Sequence, residues 1–162
     1  MSLATDSIFV TALQSNQELM DKLKAYVDKD GNIQEDDVPR LYGTSIGLPD
    51  EDVDNVPVPY VIVVFDSLTN DQGTKDDCYE SNYDQVEISV IVVGRTLNDL
   101  HELTQMVRDT ILSYMRTTTT PVQDYTFTAG QIVYNADKPC YWQELNYQCD
   151  VINTNDDEQE DD

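Results

Sequence analysis

"YVIVVF", residues 60–65, and "QVEISVIVV", residues 85–93, decide how this chain folds. The first is a continuous run of β-branched and aromatic residues, the pattern of a strand buried on both faces. The second alternates: Val86, Ile88, Val90 and Val92 point one way, Glu87 and Ser89 the other, as in a strand with one face on a core. Pro57 and Pro59 keep the approach to the first strand extended. Between the two lies a polar stretch, residues 66–84. Two such strands with a polar connector are most simply an antiparallel pair joined by a long hairpin arm. A connector of that length usually serves a function.

Outward from this pair, hydrophobic periodicity predicts a helix on either side. Phe9, Ala12, Leu13, Leu19, Leu23, Tyr26 and Val27 fall on one stripe of a helix spanning 5–27, interrupted at Asn16, with Thr5, Asp6 and Ser7 as candidate caps. Thr96 with Asp99 three residues on is an N-cap signature for a helix over 97–115, whose apolar face is Leu100, Leu103, Val107, Ile111 and Tyr114. "RTTTTP" ends it. Two more strands follow, over 125–134 and 141–151. The second places Tyr141, Leu145, Tyr147, Cys149 and Val151 on one face and Trp142 on the other. Residues 28–57 read as an acidic surface excursion without regular structure. The order α-β-β-α-β-β predicts an α+β fold: a mainly antiparallel four-stranded sheet with both helices on one face.

A chain of 162 residues is the size of one domain, here 1–152, followed by an acidic tail over 153–162. The 32 acids and 9 bases give a formal charge of −23. Such a field repels phosphates and anionic membrane surfaces, so specific DNA binding is excluded as an expectation. Removing "TNDDEQEDD" removes six acids, so most of the acidity belongs to the folded body. No apolar run reaches the roughly 20 residues that span a bilayer, and the N-terminus has no signal-peptide pattern. Cys78, Cys140 and Cys149 have no framework spacing. Cys140 and Cys149, nine apart on one strand, point to opposite faces, and all three are expected as reduced thiols in packing roles.

"DKDGN", residues 28–32, places Asp28, Asp30 and Asn32 like the start of a calcium loop. A twelve-residue EF-hand loop needs glycine at its sixth position and glutamate at its twelfth, where this chain has Ile33 and Pro39. Asp30, Gly31 and Asn32 are therefore expected to form a turn. The single histidine, His101, lies on a helix beside Glu102 and reads as a solvated residue. No nucleotide-binding, nucleophile-elbow, zinc-protease or CxxC motif occurs, so no catalytic residue, metal or cofactor is assigned. Trp142 is a candidate anchor for a partner if its face is exposed, and packs under the helices or the arm otherwise.

Several stretches together carry a resemblance: "LKAYV" closing the first helix, "VPYVIVVFD" running into a strand, "YDQVEISVIVVGRTLNDLHELTQMVRDTIL" passing from strand to helix, and two closing strands. Over residues 8–152 the sequence resembles the tail terminator, or tail-completion, family of long-tailed bacteriophages. The resemblance implies a small α+β protein, not an enzyme, that forms a hexameric ring on the tail tube. It implies that the ring stops tube polymerisation and meets the head connector or other neck proteins. It implies a virion protein, made in the bacterial cytoplasm, through whose lumen DNA passes without specific binding. Related head–tail joining proteins share similar folds. The long excursion and the acidic tail depart from the family pattern.

An acidic lumen suits that role, because phosphates slide past it. The arm residues Asp71, Asp76, Asp77 and Glu80, with Lys75 among them, are accordingly expected to face the lumen or the tube end. Arg95, Arg108 and Trp142 are the candidate subunit or partner contacts. A rival from another class is an acidic decoy that mimics DNA and blocks a basic protein; it accounts for the charge but not for the arm.

Overall fold

The computed structural model describes residues 2–28, 30–49, 56–70 and 83–152. After a short 3₁₀ turn, the elements are α1 (Thr5–Gln14), α2 (Gln17–Lys22), β1 (Ala25–Val27), β2 (Ile33–Glu35), β3 (Leu41–Gly43), β4 (Tyr60–Thr69), β5 (Tyr83–Gly94), α3 (Leu97–Thr117), β6 (Val122–Asn135) and β7 (Cys140–Ile152). The two β-branched runs pair antiparallel as β4 and β5, with Val61 opposite Val92 and Val63 opposite Val90. β5 also pairs antiparallel with β7 along its whole length, and β7 with β6. The fold is α+β, built on a five-stranded mixed sheet of order β3-β4-β5-β7-β6 beside a separate two-stranded sheet, β1-β2.

The alternation of β5 decides which face the helices cover. Val86, Ile88, Val90 and Val92 are fully buried with Val61 and Val63 of β4 and Leu145, Tyr147, Cys149 and Val151 of β7. Phe9, Leu13, Leu19 and Leu23 close over them, beside Leu100, Leu103, Val107 and Ile111 of α3. Burying each such aliphatic side chain contributes about 1.5–3 kcal/mol. Tyr147 is the aromatic hub: its ring centroid lies 5.1 Å from those of Phe9 and Phe127 and 5.6 Å from that of Tyr125. The opposite face is not bare. Val56, Tyr60, Ile62, Val93 and Cys140 form a second, smaller core, so β4 is buried on both faces as its continuous run requires. Lys138 holds the segment over this core by donating to the Val56 carbonyl, its ammonium 5.5 Å from the Tyr60 ring centroid.

Four expectations are corrected. The helix over 5–27 is two helices and a strand. The Asn16 side chain caps α2, accepting from the Leu19 N–H at 3.2 Å, and donates to Thr110 Oγ1 at 2.8 Å. A residue that offers its side chain to the backbone breaks a helix where apolar periodicity continues. Tyr26 and Val27 therefore lie on β1, and Ala4 takes the cap position of α1 with no side-chain hydrogen bond, while Thr5 and Asp6 are buried. The sheet has a fifth strand, β3, parallel to β4. A Cβ on Gly43 would sit 2.8 Å from the Val63 carbonyl oxygen, so glycine is what admits this close strand. The strands also run further into the arm than its 66–84 boundaries: Asn70 Nδ2 ties them at the base, donating to the Tyr83 carbonyl at 3.1 Å and to the buried Asp84 carboxylate at 2.6 Å.

The fourth correction concerns the excursion, whose described part is ordered around one charge. Arg40 is 3% exposed. Its Nε donates to the Pro59 carbonyl at 2.9 Å, and its two terminal nitrogens donate to the carbonyls of Lys24 (3.0 Å) and Ala25 (2.6 Å) and to Asp36 Oδ2 (2.5 Å). The guanidinium also lies 5.1 Å from the Tyr26 ring centroid. Its own carbonyl accepts from Val61. One side chain thus joins the end of α2, β1 and the start of β4. The expected turn at Asp30, Gly31 and Asn32 is present, with Gly31 at φ +85°, but it lies between two paired strands, β1 and β2, the second in a stretch where no regular structure was expected.

Replacing Arg40 with alanine leaves three carbonyls and the Asp36 carboxylate without their donor. The expected cost is about 3–5 kcal/mol in urea unfolding, and lysine does not restore it because an ammonium lacks the three-way fork. Hydrogen exchange should show protection lost in β1, β2 and β3 while β5 and β7 keep theirs; equal loss everywhere would contradict the local role.

Burial, with the Asp150 carboxylate adding to it, pushes the Cys149 thiol from its ordinary value of 9.0 up to about 12. The fold favours the neutral thiol, so this contribution is whole below pH 9.0 and is lost as pH rises toward 12. The slope is about 1.4 kcal/mol per pH unit in that interval. Unfolding measured from pH 8 to 11 on wild type and Cys149→Ala should show a shallower alkaline decline in the variant; parallel curves would refute the assignment.

Candidate interaction surface

The residues singled out by sequence do not form one cluster. Asp71, Lys75, Asp76, Asp77 and Glu80 lie outside the described residues, as do Cys78 and the tail 153–162. Arg95 is exposed at the junction of β5 and α3, beside a small groove of about 250 Å³ lined by Tyr26, Val27, Ile33, Val58 and Leu103. Arg108 is about three turns further along α3, exposed, its guanidinium 4.4 Å from the Phe127 ring centroid. Trp142 is on the other face of the sheet. It is half-buried in the second core, opposite Val93 of β5 and Val133 of β6, rather than beneath the helices. Glu102 lines a wide polar cleft between α2 and α3 together with His101; both are exposed.

The "DKDGN" carboxylate is engaged by its own turn. Asp28 Oδ1 accepts from the N–H groups of Asp30 (3.0 Å) and Asn32 (2.9 Å), and Oδ2 from the Gln34 side chain (2.9 Å). These bonds, that from Asn32 foremost, hold its pKa below the ordinary aspartate value.

A second groove, of about 410 Å³, runs between α3 and β6. α3 supplies Arg108, Leu112, Met115 and Arg116; β6 supplies Val122, Gln123, Asp124, Tyr125 and Phe127; Tyr147 of β7 contributes to the lining. The helix period puts Arg108, Leu112 and Arg116 on one stripe, four residues apart each time. No described carboxylate lies within 4.0 Å of Arg108 or Arg116; the ion pair among the described residues is Arg40–Asp36. The Tyr147 hydroxyl is buried and has no hydrogen-bond partner among the described residues. Burial raises its pKa far above that of a free phenol, against the nearby Arg108 charge. Tyr125 is raised by burial too, with Arg116 and Arg108 opposing. Both hydroxyls, protonated at neutral pH as ordinary phenols are, share the groove with two guanidinium groups.

Beside this groove the sheet ends. β6 is an edge strand of 14 residues whose outer side pairs with no described strand. Its sequence, "VQDYTFTAGQIVYN", has one acid, no lysine and no proline, so charge and proline do little to protect this edge. Irregularities between Val122 and Asp124 and between Ala129 and Ile132 bend it at two places. Sequence reasoning missed Arg116 and the role of Tyr147. The Arg108–Leu112–Arg116 spacing was a visible signal, whereas an unsatisfied hydroxyl leaves none.

Tyr147→Phe removes that hydroxyl and keeps the ring contacts. It should raise the unfolding free energy at neutral pH by about 1–3 kcal/mol, read from urea titration. A loss of stability would show that the hydroxyl has a partner in the native protein.

No protein-family model matches this sequence, and no curated protein matches it.

Proposed function

We propose that this chain is a structural subunit of a phage virion, which assembles into a ring on the end of the tail tube. The ring stops tube polymerisation and joins the tail to the head connector. The observation that carries the reading is the open 14-residue edge of β6, a surface on which a neighbouring chain gains backbone hydrogen bonds at once. Exposed apolar side chains on the excursion, Ile33, Val38, Ile46 and Leu48, offer further area for a neighbour. The resemblance over residues 8–152 points the same way, and it does not separate a tail terminator from another head–tail joining protein. The charge of −23 suits a conduit that DNA traverses without sticking. In this reading Asp71, Asp76, Asp77 and Glu80 face the DNA path or the tube end, with Lys75 among them, and tail tube protein and neck proteins are the partners.

Light scattering at low and moderate salt, with and without tail tube protein, tests the proposal. The expected result is a particle of about six subunits, formed alone at moderate salt or on addition of tube protein. Hydrogen exchange over 122–135 should slow on assembly. A strict monomer at every salt, indifferent to tube protein, overturns the ring. One-to-one, salt-sensitive capture of a basic DNA-binding protein would then identify the chain as an acidic decoy.

A further inference from the structure

Copies of a chain that each carry −23 repel one another, so a stable contact between them needs cations of one copy against acids of the next. Nine bases must serve against 32 acids. Arg40 is consumed inside the fold, and Lys138 is spent on the Val56 carbonyl. Lys22 and Arg95 are exposed as well, but Arg108 and Arg116 are the pair that share one stripe of a helix. They stand exposed on α3, with no described carboxylate within 4.0 Å, over a groove of aliphatic and aromatic side chains that also includes Gln123 and Asp124.

We infer that the α3–β6 groove receives a carboxylate-bearing segment of a second copy of this chain, held by Arg108 and Arg116 with Tyr125 and Tyr147. The inference rests on the self-assembly proposed above and names the contact that drives it. Three observations support this occupant. A groove of about 410 Å³ takes side chains, not a domain. Its walls include Leu112, Met115, Val122 and Phe127 beside Gln123 and Asp124, and a guanidinium–carboxylate pair is stronger against aliphatic and aromatic side chains than in open water. The Tyr147 hydroxyl is a donor left without an acceptor among the described residues, in a residue that is 1% exposed, and Tyr125 lines the same groove. Position agrees with chemistry: Tyr125 and Phe127 alternate on β6, so a neighbour that adds along this edge lays its side chains over the groove.

The test compares full-length variants by sedimentation velocity over a range of concentrations at moderate salt. Arg108→Glu/Arg116→Glu reverses the groove, while Lys22→Glu/Lys24→Glu changes the formal charge by the same amount elsewhere. The Lys22/Lys24 variant should associate like wild type. The Arg108/Arg116 variant, folded by circular dichroism, should need at least about tenfold more protein to associate. Tyr147→Phe, which folds without the buried hydroxyl, should also associate several-fold more weakly.

Equal association of the Arg108/Arg116 and Lys22/Lys24 variants overturns the groove contact and leaves the ring standing. Wild-type protein that stays monomeric at every concentration, with tail tube protein present, overturns both. Unchanged association of Tyr147→Phe removes that residue from the site.

Discussion

β5 is paired along its length with β7 on one side and β4 on the other, and this double pairing sets the position of everything else. With both edges occupied, its side chains are left only two directions. Val86, Ile88, Val90 and Val92 go to the helices; Val93 goes to the second core. The register then carries the pattern sideways. Val90 is opposite Val63 on one side and Leu145 on the other, and Ile88 is opposite Tyr147. Tyr147 in turn lies opposite Phe127 of β6 and meets the Phe9 ring of α1. A slip of one residue would send every one of these side chains to the wrong face, so the strand cannot move without the fold moving with it.

That core is almost free of charge, which is how a chain of 32 acids folds at all. The buried charged residues among those described are Asp6, Asp84 and Arg40, the last where α2, β1 and β4 meet. A guanidinium can be buried there because its partners are mainly backbone carbonyls, which satisfy its donors without needing several carboxylates to be buried with it. It does for the irregular excursion what a hydrophobic cluster does elsewhere, binding segments too short and too polar to hold by apolar contact. Lys138 and the Val56 carbonyl repeat the device on the opposite face of the sheet.

What was legible in the sequence follows from the range of each interaction. The β4, β5 and β7 strands, the α3 helix and its Thr96 cap could be read because their signals are local, a period or a spacing of three. The β7 face that holds Leu145, Tyr147, Cys149 and Val151 was legible for the same reason. The break at Asn16 showed as an interruption in the stripe, but its cause includes Thr110, which is 94 residues away. β3 could not be read: three residues carry no period, and its place depends on a parallel partner across a loop. Arg40 reaches carbonyls 15, 16 and 19 residues away, and a carbonyl is present at every position, so no residue pattern marks them. Of the candidate contacts, Arg108 stands at the α3–β6 groove, Arg95 at another and Trp142 on the second core.

The α3–β6 groove and the β6 edge show the opposite economy from the core. At β5 both sides of the strand are paired, and Val86, Ile88, Val90, Val92 and Val93 are buried. Among the described residues, the outer side of β6 pairs with no strand, no carboxylate lies within 4.0 Å of two guanidinium groups, and a buried tyrosine hydroxyl has no acceptor. The edge and the two exposed guanidinium groups are solvated in the isolated subunit, whereas the buried hydroxyl costs it stability, which removal of one oxygen at Tyr147 would relieve. Deficits of different kinds that fall side by side on one border of the sheet are what a surface completed by another chain requires. In the proposed assembly these residues provide donors, charge and an edge in a single place, so a neighbour offering acids and a strand would satisfy all three at once.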